Sequence, residues 1–109
     1  MSKYNARRTT IDNITFDSKR EAERYCELKI LLWAGLISEL ELQPTFVLVP
    51  SFTKNGIHYR DIKYIADFRY IENGKTIIED VKGLKTDVYK IKRKLFEREY
   101  PDYTIKEVF

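Results

Sequence analysis

Tyr64-Ile65-Ala66-Asp67-Phe68-Arg69-Tyr70-Ile71-Glu72-Asn73-Gly74-Lys75-Thr76-Ile77-Ile78-Glu79-Asp80-Val81-Lys82-Gly83 is the stretch whose reading decides the fold. Asn73-Gly74 is a two-residue hairpin signal, because both central positions of the tight turn need positive φ. The residues after it, Lys75 to Lys82, alternate as a strand. Side chains two apart in a strand share a face. Ile78, Asp80 and Lys82 therefore lie together, and Ile77, Glu79 and Val81 lie on the other side. This alternation pairs Asp80 with Lys82 and sets Glu79 apart. Before the turn, His58 to Ile71 reads as one long strand with Ile62, Tyr64, Ala66, Phe68 and Tyr70 on its core face and Asp67 on the opposite one. The hairpin thus gathers Asp67, Asp80 and Lys82 into one small volume, and Gly83 ends the strand or admits a close backbone.

Downstream, Thr86 or Asp87 caps a helix that runs to about Glu99. Val88, Ile91 and Leu95 form its expected apolar stripe, with Phe96 nearby, while Lys90, Arg93, Lys94 and Arg98 lie largely elsewhere. Pro101 closes the segment and Tyr103 to Val108 reads as a final strand. Upstream, Thr45 to Val49 is a β-prone apolar run and Ile37 to Leu42 alternates, with Gln43-Pro44 as the break between them. Pro50 to Ile57 reads as a loop holding an Asn55-Gly56 turn.

The first helix opens at Ser18, where Ser18-Lys19-Arg20-Glu21 fits a capping box, and it stops at Gly35 after Ala34. At 100° per residue, Ala22, Tyr25, Cys26, Leu32, Trp33 and Leu36 cluster on one side. Glu23 and Glu27 point away beside Arg24. Glu21 falls on the stripe with Tyr25, Leu28 and Leu32, so it alone of the three glutamates looks toward the rest of the fold. Its plainer role is a capping carboxylate at the positive helix end. Lys29 sits in the middle of the apolar side, either snorkelling or meeting an acid. Ahead of the helix, Thr9-Thr10-Ile11 and Ile14-Thr15-Phe16 flank Asp12-Asn13 as a short hairpin. Residues 1–8, with Lys3, Arg7 and Arg8, read either as a basic arm that contacts phosphates or as a solvated terminus.

At 109 residues one domain, 1–109, is expected, and 43% hydrophobic with 14% aromatic residues suffices for a packed core. The net charge of +3 permits a polyanionic partner without requiring one. Cys26 is the lone cysteine, so no disulfide forms within the chain; it reads as a core residue in a reducing compartment. One histidine and one cysteine cannot build a usual structural zinc site, and His58 reads as a surface strand residue. No long apolar run or secretory signal is present, so a cytoplasmic protein with no membrane partner is expected. Four scattered glycines make no phosphate loop.

Two carboxylates and an ammonium suit phosphodiester hydrolysis. Carboxylates can hold Mg²⁺ while leaving positions for phosphate and water, and a lysine can orient the attacking water or offset developing negative charge. Asp67, Asp80 and Lys82 supply these groups, and Glu21 adds a third carboxylate. The blander alternative for Asp80 and Lys82 is an incidental ion pair at a solvated strand end.

The set Phe16-Asp17-Ser18-Lys19-Arg20-Glu21-Ala22-Glu23, Glu41-Leu42-Gln43-Pro44, Tyr64-Ile65-Ala66-Asp67-Phe68 and Glu79-Asp80-Val81-Lys82-Gly83 resembles a small, mostly phage-encoded family of the PD-(D/E)xK, or restriction-endonuclease-like, nuclease superfamily. It is also similar to transposase endonuclease subunits and, more loosely, to Holliday-junction resolvases. Ala66 stands where the motif has proline. The resemblance implies an α/β fold of the α+β kind, a restriction-endonuclease-like core whose central mixed sheet is flanked by two main helices. It implies Glu21, Asp67 and Asp80 as metal ligands, Lys82 as the catalytic lysine and Gln43 lining the site. It further implies Mg²⁺, with Mn²⁺ as a substitute, and no small-molecule cofactor. The activity expected is structure- or partner-directed DNA cleavage in phage recombination, repair or processing, in the host cytoplasm. Lys3, Arg7, Arg8, Lys90, Arg93, Lys94 and Arg98 would contact DNA phosphates, and a homodimer would supply two active sites. The alternatives are a catalytically silent DNA- or partner-binding module and an RNA nuclease with the same chemistry.

Overall fold

The computed structural model describes residues 8–109; Lys3 and Arg7 lie outside the described residues. The elements are β1 (Thr9–Ile11), β2 (Ile14–Phe16), α1 (Lys19–Trp33), β3 (Ser38–Leu42), β4 (Thr45–Val49), β5 (Phe52–Lys54), β6 (Ile57–Tyr59), β7 (Ile62–Ile65), β8 (Phe68–Glu72), β9 (Lys75–Val81), α2 (Asp87–Glu99) and β10 (Ile105–Val108). The fold is α+β with two helices and a mixed sheet ordered β10-β9-β8-β3. β10 runs parallel to β9 through the α2 crossover, while β8 is antiparallel to both β9 and β3.

Local chemistry accounts for most of these boundaries. Asn73-Gly74 and Asn55-Gly56 both adopt positive φ and close the β8–β9 and β5–β6 hairpins. The Ser18 hydroxyl accepts the Glu21 amide at 3.1 Å, and the Thr86 hydroxyl accepts the Tyr89 amide at 3.1 Å, so each helix starts on a side-chain cap. Gly35, at φ 77°, follows the C-terminus of α1.

The expected long strand from His58 to Ile71 is instead three strands, and Phe52–Lys54, read as loop, is a strand of its own. The decisive break is at Ala66-Asp67. Ala66 N–H donates to the Pro44 carbonyl at 3.1 Å, whereas Asp67 N–H donates to the Glu79 carbonyl at 3.0 Å. The chain changes partner between adjacent residues, from Pro44 at the entry of β4 to Glu79 of β9. Gln43, at φ 52°, donates its N–H to the Asp67 carbonyl at 2.9 Å and bends the facing strand at the same level. The break separates the expected single core face into two. Tyr64 and Ala66 pack with Phe46, Ile78, Tyr89 and Phe96 under α2. Phe68 and Tyr70 pack with Ala22, Tyr25 and Leu28 under α1. β9 passes between the two layers, so Ile78, Glu79 and Asp80 are all buried.

Other faces also differ from expectation. Ile62, expected in the core, is 41% exposed. A bulge between Ser38 and Glu41, with Glu39 at φ 54°, lets Ile37 and Leu40, expected on opposite faces, both pack into the α1 core. Trp33 and Leu36 are exposed, because α1 buries Ala22, Tyr25 and Leu28, the side nearer Glu21. On α2 Val88 and Ile91 are exposed, and Tyr89 and Phe96 are buried in their place. An aliphatic stripe underweights tyrosine, which can bury its ring while its hydroxyl finds a partner. Lys29 lies over the Tyr25 and Trp33 rings at 6.0 and 5.8 Å, the snorkelling alternative. Cys26 is half-buried against the α1 core. No helix among the described residues is long and apolar enough to cross a membrane.

Candidate active site

The change of partner at Asp67 turns its carboxylate toward the end of β9, where Oδ2 accepts the Val81 amide at 2.7 Å. One residue earlier on β9, Asp80 points to the α2 side. Its Oδ1 pairs with Lys82 Nζ at 2.9 Å and its Oδ2 accepts the Tyr64 hydroxyl. The Lys82 ammonium also lies 3.6 Å from the centroid of the Tyr89 ring. Lys82 is aligned by its backbone too, for its N–H donates to the Val108 carbonyl at 2.8 Å and extends the β9–β10 pairing one step.

Glu21 approaches from the first turn of α1 and is the side chain common to two concavities. A pocket of about 500 Å³ has Asp17, Ser18, Glu21, Val81, Lys82 and Gly83 in its wall. A smaller one of about 150 Å³ has Glu21, Gln43 and Asp67 in its wall. The cleft therefore runs along the seam where α1 meets the end of β9. A Cβ added at Gly83 would meet nothing within 4 Å, so no close backbone approach within the chain calls for glycine there.

The acids press on one another. Burial, with Glu21 and Asp80 nearby, pushes the Asp67 carboxyl up to about 8, against the opposing pull of the Val81 N–H. Glu21 is also raised, first by burial and then by Asp17 and Asp80, while Lys82 pulls it the other way. Burial beside Asp80 raises the Tyr64 hydroxyl as well, so it stays a donor. A divalent cation would relieve this crowding, and two hard oxygen donors beside a lysine fit Mg²⁺. Among the described residues, however, no three of His, Cys, Asp and Glu are grouped so as to hold an ion together. The fit is to Asp67 and Asp80 as a pair, with Glu21 facing them.

The sequence-predicted residues Glu21, Asp67, Asp80, Lys82 and Gln43 converge here. Glu79 is kept out of the cleft. It is fully buried on the α1 side, where it receives Arg24 Nε and Nη2 at 2.8 and 2.7 Å and the Tyr70 hydroxyl. Arg24, expected on the solvent face, turns inward to make this bidentate pair and also meets Glu27 at 3.0 Å. Of the expected DNA contacts, Arg8, Lys90, Lys94 and Arg98 are exposed. Arg93 is tied to Glu107 at 2.7 Å.

The residues behind the lysine belong to none of the motifs in the sequence. Tyr89 holds its ring against Lys82 and donates its hydroxyl to Glu107 at 2.7 Å. Glu107 also receives Lys85 at 2.8 Å, and these partners hold its carboxyl down at about 2. Glu107 stands opposite Asp80 in the parallel β9–β10 register. The signal in the sequence is the spacing of Tyr89 and Phe96, seven residues apart and so on one face of α2.

Residues 1–108 match the family model described as "Protein of unknown function (DUF1064)". The chain belongs to the DUF1064 family. No curated protein and no solved structure matches it.

Proposed function

We propose that this DUF1064 protein is a Mg²⁺-dependent DNA endonuclease of the PD-(D/E)xK kind, built on a restriction-endonuclease-like core. The observation that carries the reading is the Asp80–Lys82 pair at 2.9 Å beside an Asp67 carboxylate held by the Val81 amide, with Glu21 facing both across the cleft. Mg²⁺, when bound, supplies positive charge that polarises the phosphate and offsets the charge of the acids. Asp67 and Asp80 would hold it, with Glu21 facing the pair from the first turn of α1.

Lys82 is the group suited to orient the attacking water and to donate a hydrogen bond to the phosphoryl oxygens as negative charge builds. Its reach is limited by Asp80 on one side and the Tyr89 ring on another. Tyr64 keeps Asp80 in one orientation by its hydroxyl hydrogen bond. Such supporting contacts matter because a loosely held catalytic group loses much of its effect. Lys90, Lys94 and Arg98 on α2 are exposed and would meet phosphates without reading sequence.

The test is cleavage of branched, single-stranded and duplex DNA, with RNA alongside, in Mg²⁺ or Mn²⁺. Asp80→Ala and Lys82→Ala proteins should each lose roughly a hundredfold or more in rate. Cutting at full rate in either variant would end the assignment, and cleavage of RNA alone would change its substrate. One observation favours the second reading, a catalytically silent binding module: Asp80 is already engaged by both Lys82 and Tyr64. Salt-sensitive DNA binding without cutting of any substrate would select it.

A further inference from the structure

We infer that the β5–β6 hairpin is a nucleic-acid arm, on which unpaired bases of the DNA to be cut stack against the Phe52–Tyr59 ring pair. This rests on the nuclease reading and names the form of substrate that the same site receives. Every residue from Pro50 to Arg60 is exposed, so the hairpin stands clear of both core layers. The register pairs Phe52 with Tyr59, Thr53 with His58 and Lys54 with Ile57. Alternation then puts Phe52, Lys54, Ile57 and Tyr59 on one face and leaves Thr53 and His58, joined at 3.3 Å, on the other.

The two rings are stacked at 4.8 Å with an interplanar angle of 14°, and they remain 47% and 42% exposed. Ile57 beside them is 55% exposed. An aromatic and aliphatic face held in water on a projecting ribbon marks a recognition surface. Its charge selects the partner. From Pro50 to Arg60 the ionised side chains are Lys54 and Arg60, with no carboxylate. Asp61, just beyond, is paired with Lys63 at 3.7 Å.

Flat apolar groups on an anionic chain are what such a face would take, and unpaired nucleotides combine the two. Paired bases already stack within their own helix. A second copy of this chain fits poorly, since a twofold contact through this face would bring Lys54 and Arg60 of both copies together with no carboxylate of the hairpin to offset them. The arm is also coupled to the cleft by a short path. The chain from Tyr59 through β7 to Asp67 spans at most about 26 Å when extended.

The experiment uses the full chain carrying Asp80→Ala, in EDTA, so that binding is read without cleavage. The ligands are a 15-nucleotide single strand containing 2-aminopurine and a blunt duplex of the same length. Adding Phe52→Ala and Tyr59→Ala should weaken single-strand binding roughly 5- to 150-fold and abolish stacking-dependent quenching, with duplex binding unchanged. Lys54→Ala with Arg60→Ala, which leaves the rings in place, should lower the single-strand salt slope by about 1.4. Unchanged single-strand affinity, or equal weakening for both ligands, overturns the inference. So does a wild-type dimer that the Phe52 and Tyr59 substitutions dissociate. If the unsubstituted protein cuts nothing while ring-dependent single-strand binding persists, the nuclease reading alone fails. If it cuts DNA and the ring variant binds single strands as before, only the arm fails.

Discussion

Asp67 is the residue at which the architecture and the chemistry conflict. Burial and two neighbouring carboxylates raise its pKa to about 8, so the metal-free fold favours the protonated acid. The sign follows from linkage. Its folded pKa lies above the ordinary 3.8, so its contribution to stability is complete below about pH 4 and is lost as pH rises through about 8. Asp67→Asn keeps an oxygen for the Val81 amide and cannot ionise. In chelator at pH 8–9 it should be more stable than the parent, and the difference should shrink toward pH 4. Denaturant titrations across that range check this. A difference that does not change with pH would mean that Asp67 ionises freely in the fold. Mg²⁺ should narrow the difference from the parent's side, because the amide offers no charge to the cation.

At the scale of elements, β9 is the strand on which both layers depend. It carries Glu79 toward α1 and Asp80 toward the cleft, and both are buried. The two carboxylates have different partners and different consequences. Glu79 is matched by the bidentate Arg24 and by Tyr70, which fixes α1 against the sheet. Arg24→Met would leave that carboxylate buried with its cation gone, at a cost of roughly 3–5 kcal/mol. Replacing Glu79 with Leu in the same protein should recover most of the loss. Urea unfolding of the parent, the Arg24→Met protein and the double variant decides it. A single-variant loss below about 1 kcal/mol would show that the pair does not hold the helix in place. Asp80, by contrast, is tied to Lys82 and Tyr64, neighbours that serve the cleft.

Across the whole molecule, α1 covers one face of the sheet and α2 the other, and the candidate site lies where the two layers meet at the end of β9. The exposed cations of α2 lie on the same helix as Tyr89, which supports Lys82. If Lys90, Lys94 and Arg98 each neutralise one duplex phosphate, converting all three to alanine should reduce the salt slope of binding by about 2.7. Arg93→Ala should leave the slope unchanged, because Arg93 is committed to Glu107. Equal slope losses from Arg93 and from the exposed trio would show that the Glu107 pair opens on DNA. Affinity titrations between low and moderate salt give both answers.

Much of this was legible from local chemistry. Asn55-Gly56 and Asn73-Gly74 demand tight turns, Ser18 caps the first helix, and residues two apart in a strand share a face, which puts Asp80 with Lys82. These depend on a few neighbouring residues and are written into any chain that carries them. Helical spacing likewise separated Glu21 from Glu23 and Glu27. The long-range choices were not legible. Alternation placed Tyr64, Ala66, Phe68 and Tyr70 on one face, but the exchange of hydrogen-bond partners at Ala66-Asp67 divides them between two cores. Arg24 meeting Glu79, and Tyr89 backing Lys82 from Glu107, join positions that only the packed layers bring together. By itself, the sequence determined the turns, the caps and the identity of the acids and the lysine, because these are settled within a turn or a strand. Only the tertiary structure decided which layer each residue enters and what holds Lys82 against Asp80, because those depend on strands and helices distant along the chain competing for the same partners.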